Sequence, residues 1–126
     1  MREMRRIVPA HHGDLMNVTV RGVEEDHDAF LRYADKPMIA FVMLFTYPRT
    51  PAGDDAMAAM TRDMIDAALK CDGRYYLPYR LHATQDQFER AYPQAREFFA
   101  KKREHDPAGL FQNMFYKKYG ISPSTH

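Results

Sequence analysis

A single cysteine, Cys71, rules out an intramolecular disulfide and any multi-cysteine zinc site, and leaves a buried or half-buried thiol as its simplest use. It falls at the expected C-terminal end of a helix, where the dipole disfavours a thiolate, so a Cys-His nucleophilic pair is a poor reading. Serine is almost as scarce. Ser122 and Ser124 are the only two and both lie in the tail, which sets aside a serine hydrolase. The six glycines, at 13, 22, 53, 73, 109 and 120, are too scattered for a G-x-G-x-x-G turn or a P-loop. The chain therefore carries no recognisable grip for a nucleotide pyrophosphate. Neither sign of charge is in excess: 18 Lys+Arg against 17 Asp+Glu leave +1, so no overall field draws the molecule to nucleic acid or anionic lipid. The longest apolar run, Met38 to Phe45, is far short of the roughly 20 residues that span a bilayer. The N-terminus is basic but lacks a signal peptide's apolar segment, and a cytoplasmic location is expected.

What is present fits one domain. The 126 residues are enough for one core and too few for two, giving a domain over 1–120 and a frayed tail at 121–126. Leu15 to Gly22 alternates, with Met16, Val18 and Val20 on one side and Asn17, Thr19 and Arg21 on the other, as a strand with one buried face does. Met38 to Tyr47 is apolar on both faces and β-favouring, which predicts a central strand covered on both sides. Asp26 to Ala34 between them reads as a short helical turn.

Thr50-Pro51 is an N-cap and first-turn pair, followed by acidic Asp54 and Asp55 at the positive end of a helix dipole. Met57, Met60, Met64, Ala67 and Ala68 form the apolar stripe of that helix, which Gly73 stops. Arg74 to Ala83 reads as a third strand bent at Pro78. Thr84 and Gln87 make a capping box for a short helix, and Pro93 opens another with Ala95, Phe98 and Phe99 on its apolar side. Lys101-Lys102-Arg103 closes that helix, and Asp106-Pro107 stops it ahead of a final turn. This order implies an α+β domain in which an antiparallel β-sheet carries helices packed on one face, with a helical C-terminal part.

The six histidines do not gather at ligand spacing. His11 and His12 are adjacent, and on a strand they would point to opposite faces, so no metal site is expected. The stretch Arg74-Tyr75-Tyr76-Leu77-Pro78-Tyr79-Arg80-Leu81-His82-Ala83 is the informative one. Strand alternation would send Tyr76, Arg80 and His82 to one face and Tyr75 and Tyr79 to the other unless Pro78 breaks the phase. Such a face can hydrogen-bond to and stack on a flat ligand, although tyrosines bordering a sheet are also ordinary packing residues. No RNA-binding aromatic motif accompanies them.

The words Gly73-Arg74-Tyr75-Tyr76-Leu77-Pro78-Tyr79, Phe88, Tyr92-Pro93, Phe98-Phe99, Lys102-Arg103, Asp106-Pro107, Leu110-Phe111 and Asn113 stand in an order and spacing that resembles the closing segment of FAD-linked oxidoreductases of the vanillyl-alcohol-oxidase and cytokinin-dehydrogenase class. Asn17-Val18-Thr19-Val20-Arg21, Phe41 to Phe45 and Arg49-Thr50-Pro51 resemble the substrate-domain strands of that class, so the likeness covers most of residues 13 to 119. The resemblance implies a substrate or cap domain whose antiparallel sheet roofs the flavin ring, and a reaction that passes hydride from a small organic substrate to FAD. It implies that Tyr76 and Tyr79 border the substrate and flavin ring, Tyr76 as a cofactor contact and Tyr79 as a catalytic candidate, and that Asn113 lies near the cofactor. The expected strand geometry adds Arg80 and His82 as catalytic candidates, and Asn17, Thr19 and Arg21 as a substrate-facing set. Because no FAD-pyrophosphate motif precedes these residues, FAD is expected to be held mainly by an FAD-binding domain in trans, leaving this chain incomplete for catalysis alone. A sheet edge left open in this way is also expected to favour a homodimer. The alternative reading is a free-standing dimeric α+β module that binds a small planar ligand without catalysis.

Overall fold

The computed structural model describes residues 1–121; the tail read at 122–126 lies outside the described residues. Helix α1 (Arg2–Ala10) leads into strand β1 (Asp14–Val23), and a long connection joins it to strand β2 (Met38–Thr46). Helices α2 (Pro51–Lys70), α3 (Gln85–Ala91) and α4 (Ala95–His105) follow, and a π-helical turn (Tyr116–Gly120) ends the described chain. The molecule is α+β, with an antiparallel sheet and a helical C-terminal part, as the sequence implies.

Among the described residues the sheet has two strands. The expectation of Met38–Tyr47 as a central strand covered on both sides is therefore corrected: β2 is an edge strand paired to β1 alone, and neither strand contributes a residue to the buried core. Ile39 and Leu44 of β2 remain 65% and 58% exposed. A bulge between Leu15 and Asn17 resets the alternation. Leu15 pairs with Phe45 and Val18 with Met43, so Leu15 joins the face of Val18 and Val20, and Met16 is left out of the pairing and 62% exposed.

Helix α1 had no counterpart in the sequence reading. Its arginines, methionines and glutamate are good helix formers, Arg6 bonds back to Glu3 at 2.9 Å, and Ile7 and Val8 are buried where α1 packs on α2. Helix α2 begins where expected, with Thr50 Oγ1 accepting the Gly53 N–H at 3.1 Å. Its deepest residues are Met60 and Ile65, so the core stripe runs through Ile65 rather than along the methionines alone.

Arg74–Ala83 is not a strand. No second strand offers it a ladder, a turn at Leu77-Pro78 breaks it, and the side chains of Tyr75, Leu77 and Leu81 pack into the helical core. Asp26–Ala34 is not helical either. Asp26 Oδ1 accepts the N–H groups of Asp28 and Ala29, holding an Asx turn instead. Pro93 lies two residues ahead of α4, in the turn that joins it to α3. Cys71 is exposed, because α2 ends at the surface.

The core is aromatic and sits among α2, α3, α4 and the π-helical turn. Phe88 and Tyr92 are fully buried, and Phe88 stacks on Tyr119 at 4.4 Å between ring centres while meeting Phe115 edge to face at 5.4 Å. Tyr92 donates its hydroxyl proton to the Tyr75 carbonyl, and Tyr119 donates to the Ala83 carbonyl at 2.9 Å, so both rings fasten the irregular segment 75–83 to the helices. Among the described residues, no helix is long and apolar enough to cross a membrane.

Candidate functional site

The irregular path of Arg74–Ala83 decides where its polar side chains go. Arg74 donates to the Arg32 carbonyl at 2.9 Å and to Asp35 Oδ2 at 2.5 Å, which ties the connection between the strands to the core. Tyr75 turns inward and meets Tyr92 edge to face at 5.7 Å. The Leu77-Pro78 turn then breaks the alternation expected of a strand. It brings Tyr76 and Tyr79 to the same side, 5.2 Å apart at 76°, with Tyr33 continuing the row at 5.3 Å from Tyr76. These rings remain at the surface: Tyr76 is 46% and Tyr79 62% exposed.

Arg80 and His82 leave this row and run along α2. Arg80 donates to Asp54 Oδ1 at 2.6 Å and lies over the Tyr47 ring at 5.1 Å. The Arg80 guanidinium, followed by a Tyr47 hydrogen bond, holds the Asp54 carboxyl below its usual range. His82 Nδ1 stands 3.1 Å from Thr61 Oγ1, two helical turns beyond Asp54 on the same face of α2. Thr61 spends its own proton on the Met57 carbonyl at 2.8 Å, so it accepts from His82, which assigns the proton to Nδ1 and leaves Nε2 as the basic nitrogen. Burial, then the neighbouring charges of Arg80, Lys118 and Arg62, lower the His82 pKa and keep the ring neutral at pH 7.

An open cleft of about 470 Å³ lies beside this pair, lined by Phe45, Thr46, Tyr47, Arg49, Asp54 and Arg80. A neighbouring one of about 360 Å³ shares the end of β2 and extends to His11, His12 and Met60. His11 and His12 follow α1 in a turn, not a strand, and His11 Nε2 meets Asp63 Oδ2 at 2.7 Å. Among the described residues, no three His, Cys, Asp or Glu side chains converge.

The remaining candidates stand apart. Asn113 Oδ1 accepts the Tyr116 N–H at 2.8 Å, a local cap for the last helical segment. Asn17, Thr19 and Arg21 share one exposed face of the ribbon, opposite Leu44, Val42 and Ala40 of β2. Among the described residues no hydrogen bond, ion pair or ring contact joins these four to Tyr76, Tyr79, Arg80 or His82. The fold thus gathers the candidates into a tyrosine row and an arginine-histidine pair. Sequence reading missed Tyr33, Tyr47, Asp54 and Thr61. Only the seven-residue spacing of Asp54 and Thr61 on a helix hinted at a shared face.

The chemistry of these groups suits the edge and face of a flat ring and does not suit a pyrophosphate. Two exposed phenols set edge to face offer π surface and hydroxyl donors, whereas Gly53, the one buried glycine near the cleft, is packed against the Pro48 carbonyl instead of forming an open anion cradle. Comparison with models of protein families, with curated proteins and with solved structures gives no match to this chain.

Proposed function

We propose that this chain is the substrate-side cap of an FAD-dependent oxidoreductase that transfers hydride from a small organic substrate, with the flavin held mainly by polypeptide outside this sequence. The observation that carries the reading is the Tyr33-Tyr76-Tyr79 row. Tyr33 packs against the buried aromatic core, while Tyr76 and Tyr79 remain exposed at 46% and 62%, an arrangement suited to covering a planar redox ring. A second support is the loop that follows α4, where Leu110, Phe111 and Met114 are 79%, 79% and 69% exposed, a concentration of apolar surface suited to lying against another domain. The flavin supplies the electron-accepting chemistry. Within this chain, Tyr76 and Tyr79 cover the ring, Arg80 orients a substrate oxygen or balances negative charge, and neutral His82 offers a basic nitrogen for a substrate proton.

In a holoenzyme reconstituted with a flavin-binding partner, Tyr79→Phe and Arg80→Ala are expected to slow flavin reduction by roughly tenfold or more. The Arg80-Asp54 pair is exposed, so its loss is expected to leave the urea midpoint nearly unchanged. Stopped-flow absorbance reads the first effect and urea unfolding the second. Reduction rates unchanged in both variants would remove these residues from the site.

The cleft beside Arg80 favours a second reading, a small-ligand-binding module that works without flavin, since its lining is complete within this chain. Calorimetry with benzoate as the probe separates the two. Micromolar binding by the chain alone, with no perturbation of added FAD's visible spectrum, would favour the module.

A further inference from the structure

The two edges of the ribbon are not equivalent. β1 has the features that discourage a strand from recruiting a neighbour: a bulge at Met16, Asp14 at its start and Arg21 near its end. β2 has none of them. Its residues, Met38–Thr46, include no charge and no proline, and Ile39 and Leu44 are 65% and 58% exposed. Among the described residues, its backbone bonds to β1 only, so a row of amides and carbonyls on the far side is left without protein partners.

The surface area points the same way. The chain exposes 9110 Å², whereas a compact monomer of 14.7 kDa exposes roughly 6,900 Å². That excess belongs to the whole chain, and the exposed Ile39 and Leu44 of β2 contribute to it. The strand is also complementary to itself. Turned antiparallel about Val42, it sets Ala40 opposite Leu44 and Ile39 opposite Phe45, so apolar side chains meet apolar ones in every pair but the outermost, Met38 with Thr46. A net charge of +1 puts little repulsion between copies.

We propose that the free edge of β2 is a homodimer interface, in which Met38–Thr46 of two copies pair antiparallel about a twofold axis at Val42 to form a four-stranded sheet ordered β1-β2-β2-β1. An isologous contact of this kind closes after two subunits, because each β1 edge is already blunted.

Sedimentation velocity of the full chain between micromolar and hundred-micromolar concentrations is expected to show a species of twice the monomer mass. Val42→Lys is expected to return it to monomer with the far-UV circular dichroism of the wild type, while Thr19→Lys on β1 leaves the dimer intact. Should Val42→Lys fail to fold, Val42→Cys combined with Cys71→Ser decides the matter. Residues directly opposite in an antiparallel pair have Cα atoms about 4.5–5.5 Å apart, so mild oxidation is expected to give a covalent dimer. A chain monomeric across the range overturns the proposal, as does a dimer abolished by Thr19→Lys and indifferent to Val42→Lys. Protection of β2 amides that arises only on adding a flavin-binding polypeptide assigns the edge to that polypeptide and equally overturns it.

Discussion

His82 links local packing to acidity. Its folded pKa lies below the ordinary 6.5 because burial and three nearby cations disfavour the imidazolium. The unfolded chain therefore takes up the proton first as pH falls. Stability present above about pH 6.5 is lost as pH drops through that value toward the folded pKa. Glu3, Asp26, Asp54, Asp72 and Asp106, all held below their usual range by hydrogen bonds or cations, are shifted in the same direction but lose their contribution only at much lower pH. The expected result is a urea midpoint lower at pH 5.5 than at 7.5, with a smaller difference in His82→Gln. An equal fall in both proteins would show that another group titrates. The sequence reading set His82 on a strand face with Tyr76 and Arg80 as a catalytic candidate; the segment is not a strand, and His82 turns to α2 instead. Its direction was not legible, because the partner that fixes it, Thr61, lies on a helix 21 positions away.

At the scale of the element, short-range signals were the readable ones. The capping box at Thr84 is present in both halves: Gln87 N–H donates to Thr84 Oγ1 at 3.2 Å and Thr84 N–H to Gln87 Oε1 at 3.1 Å. A helix of seven residues is too short to stand on propensity, so its cap and its packing hold it. Thr84→Ala is expected to cost about 1 kcal/mol in urea unfolding. Gly53 gives a sharper test, because two effects oppose each other. Alanine in a helix gains up to about 1 kcal/mol over glycine, yet a Cβ at Gly53 would stand 2.1 Å from the Pro48 carbonyl oxygen, which belongs to the backbone and has little freedom to retreat. The clash wins, and Gly53→Ala is expected to lower the melting temperature. A rise would mean that the Tyr47-Pro48-Arg49 segment moves freely. Caps and alternation are written within a few residues and could be read. The failure at Arg74–Ala83 has the opposite cause: its tyrosines and leucines alternate like a strand's, but what decides a strand is a neighbour to pair with, and the segment's hydrogen bonds go instead to Tyr92, Tyr119 and Arg62. Helix α1 was unread because its three arginines and Pro9 obscure a buried face of only two residues.

Across the whole molecule, stability is unevenly distributed. Every ring that packs around Phe88 comes from residue 92 or later, and the ribbon supplies none of the core. Phe88→Ala is expected to lose about 3–5 kcal/mol, whereas Val18→Ala on the half-buried ribbon should cost a fraction of that. Hydrogen exchange at dilute, monomeric concentrations is expected to show β1 and β2 amides opening locally while α2 and α3 amides exchange only through global unfolding. Equal protection in both regions would refute the division. The class of fold was legible because patterning is a whole-chain property; the openness of the sheet was not, since a strand's composition records burial without recording who provides it.

Arg74 ties the loose part of the molecule to the firm part. By gripping the Arg32 carbonyl and Asp35 while its neighbours Tyr75 and Tyr76 address the interior and the outer phenols, it fastens the inter-strand connection beside the tyrosine row. The same connection is also held by Lys36 to Asp72, by Gln94 Nε2 donating to the Phe30 carbonyl at 3.1 Å and by Phe30 against Phe98, so the hairpin reaches the helical core through several attachments and Arg74→Ala alone leaves it tethered.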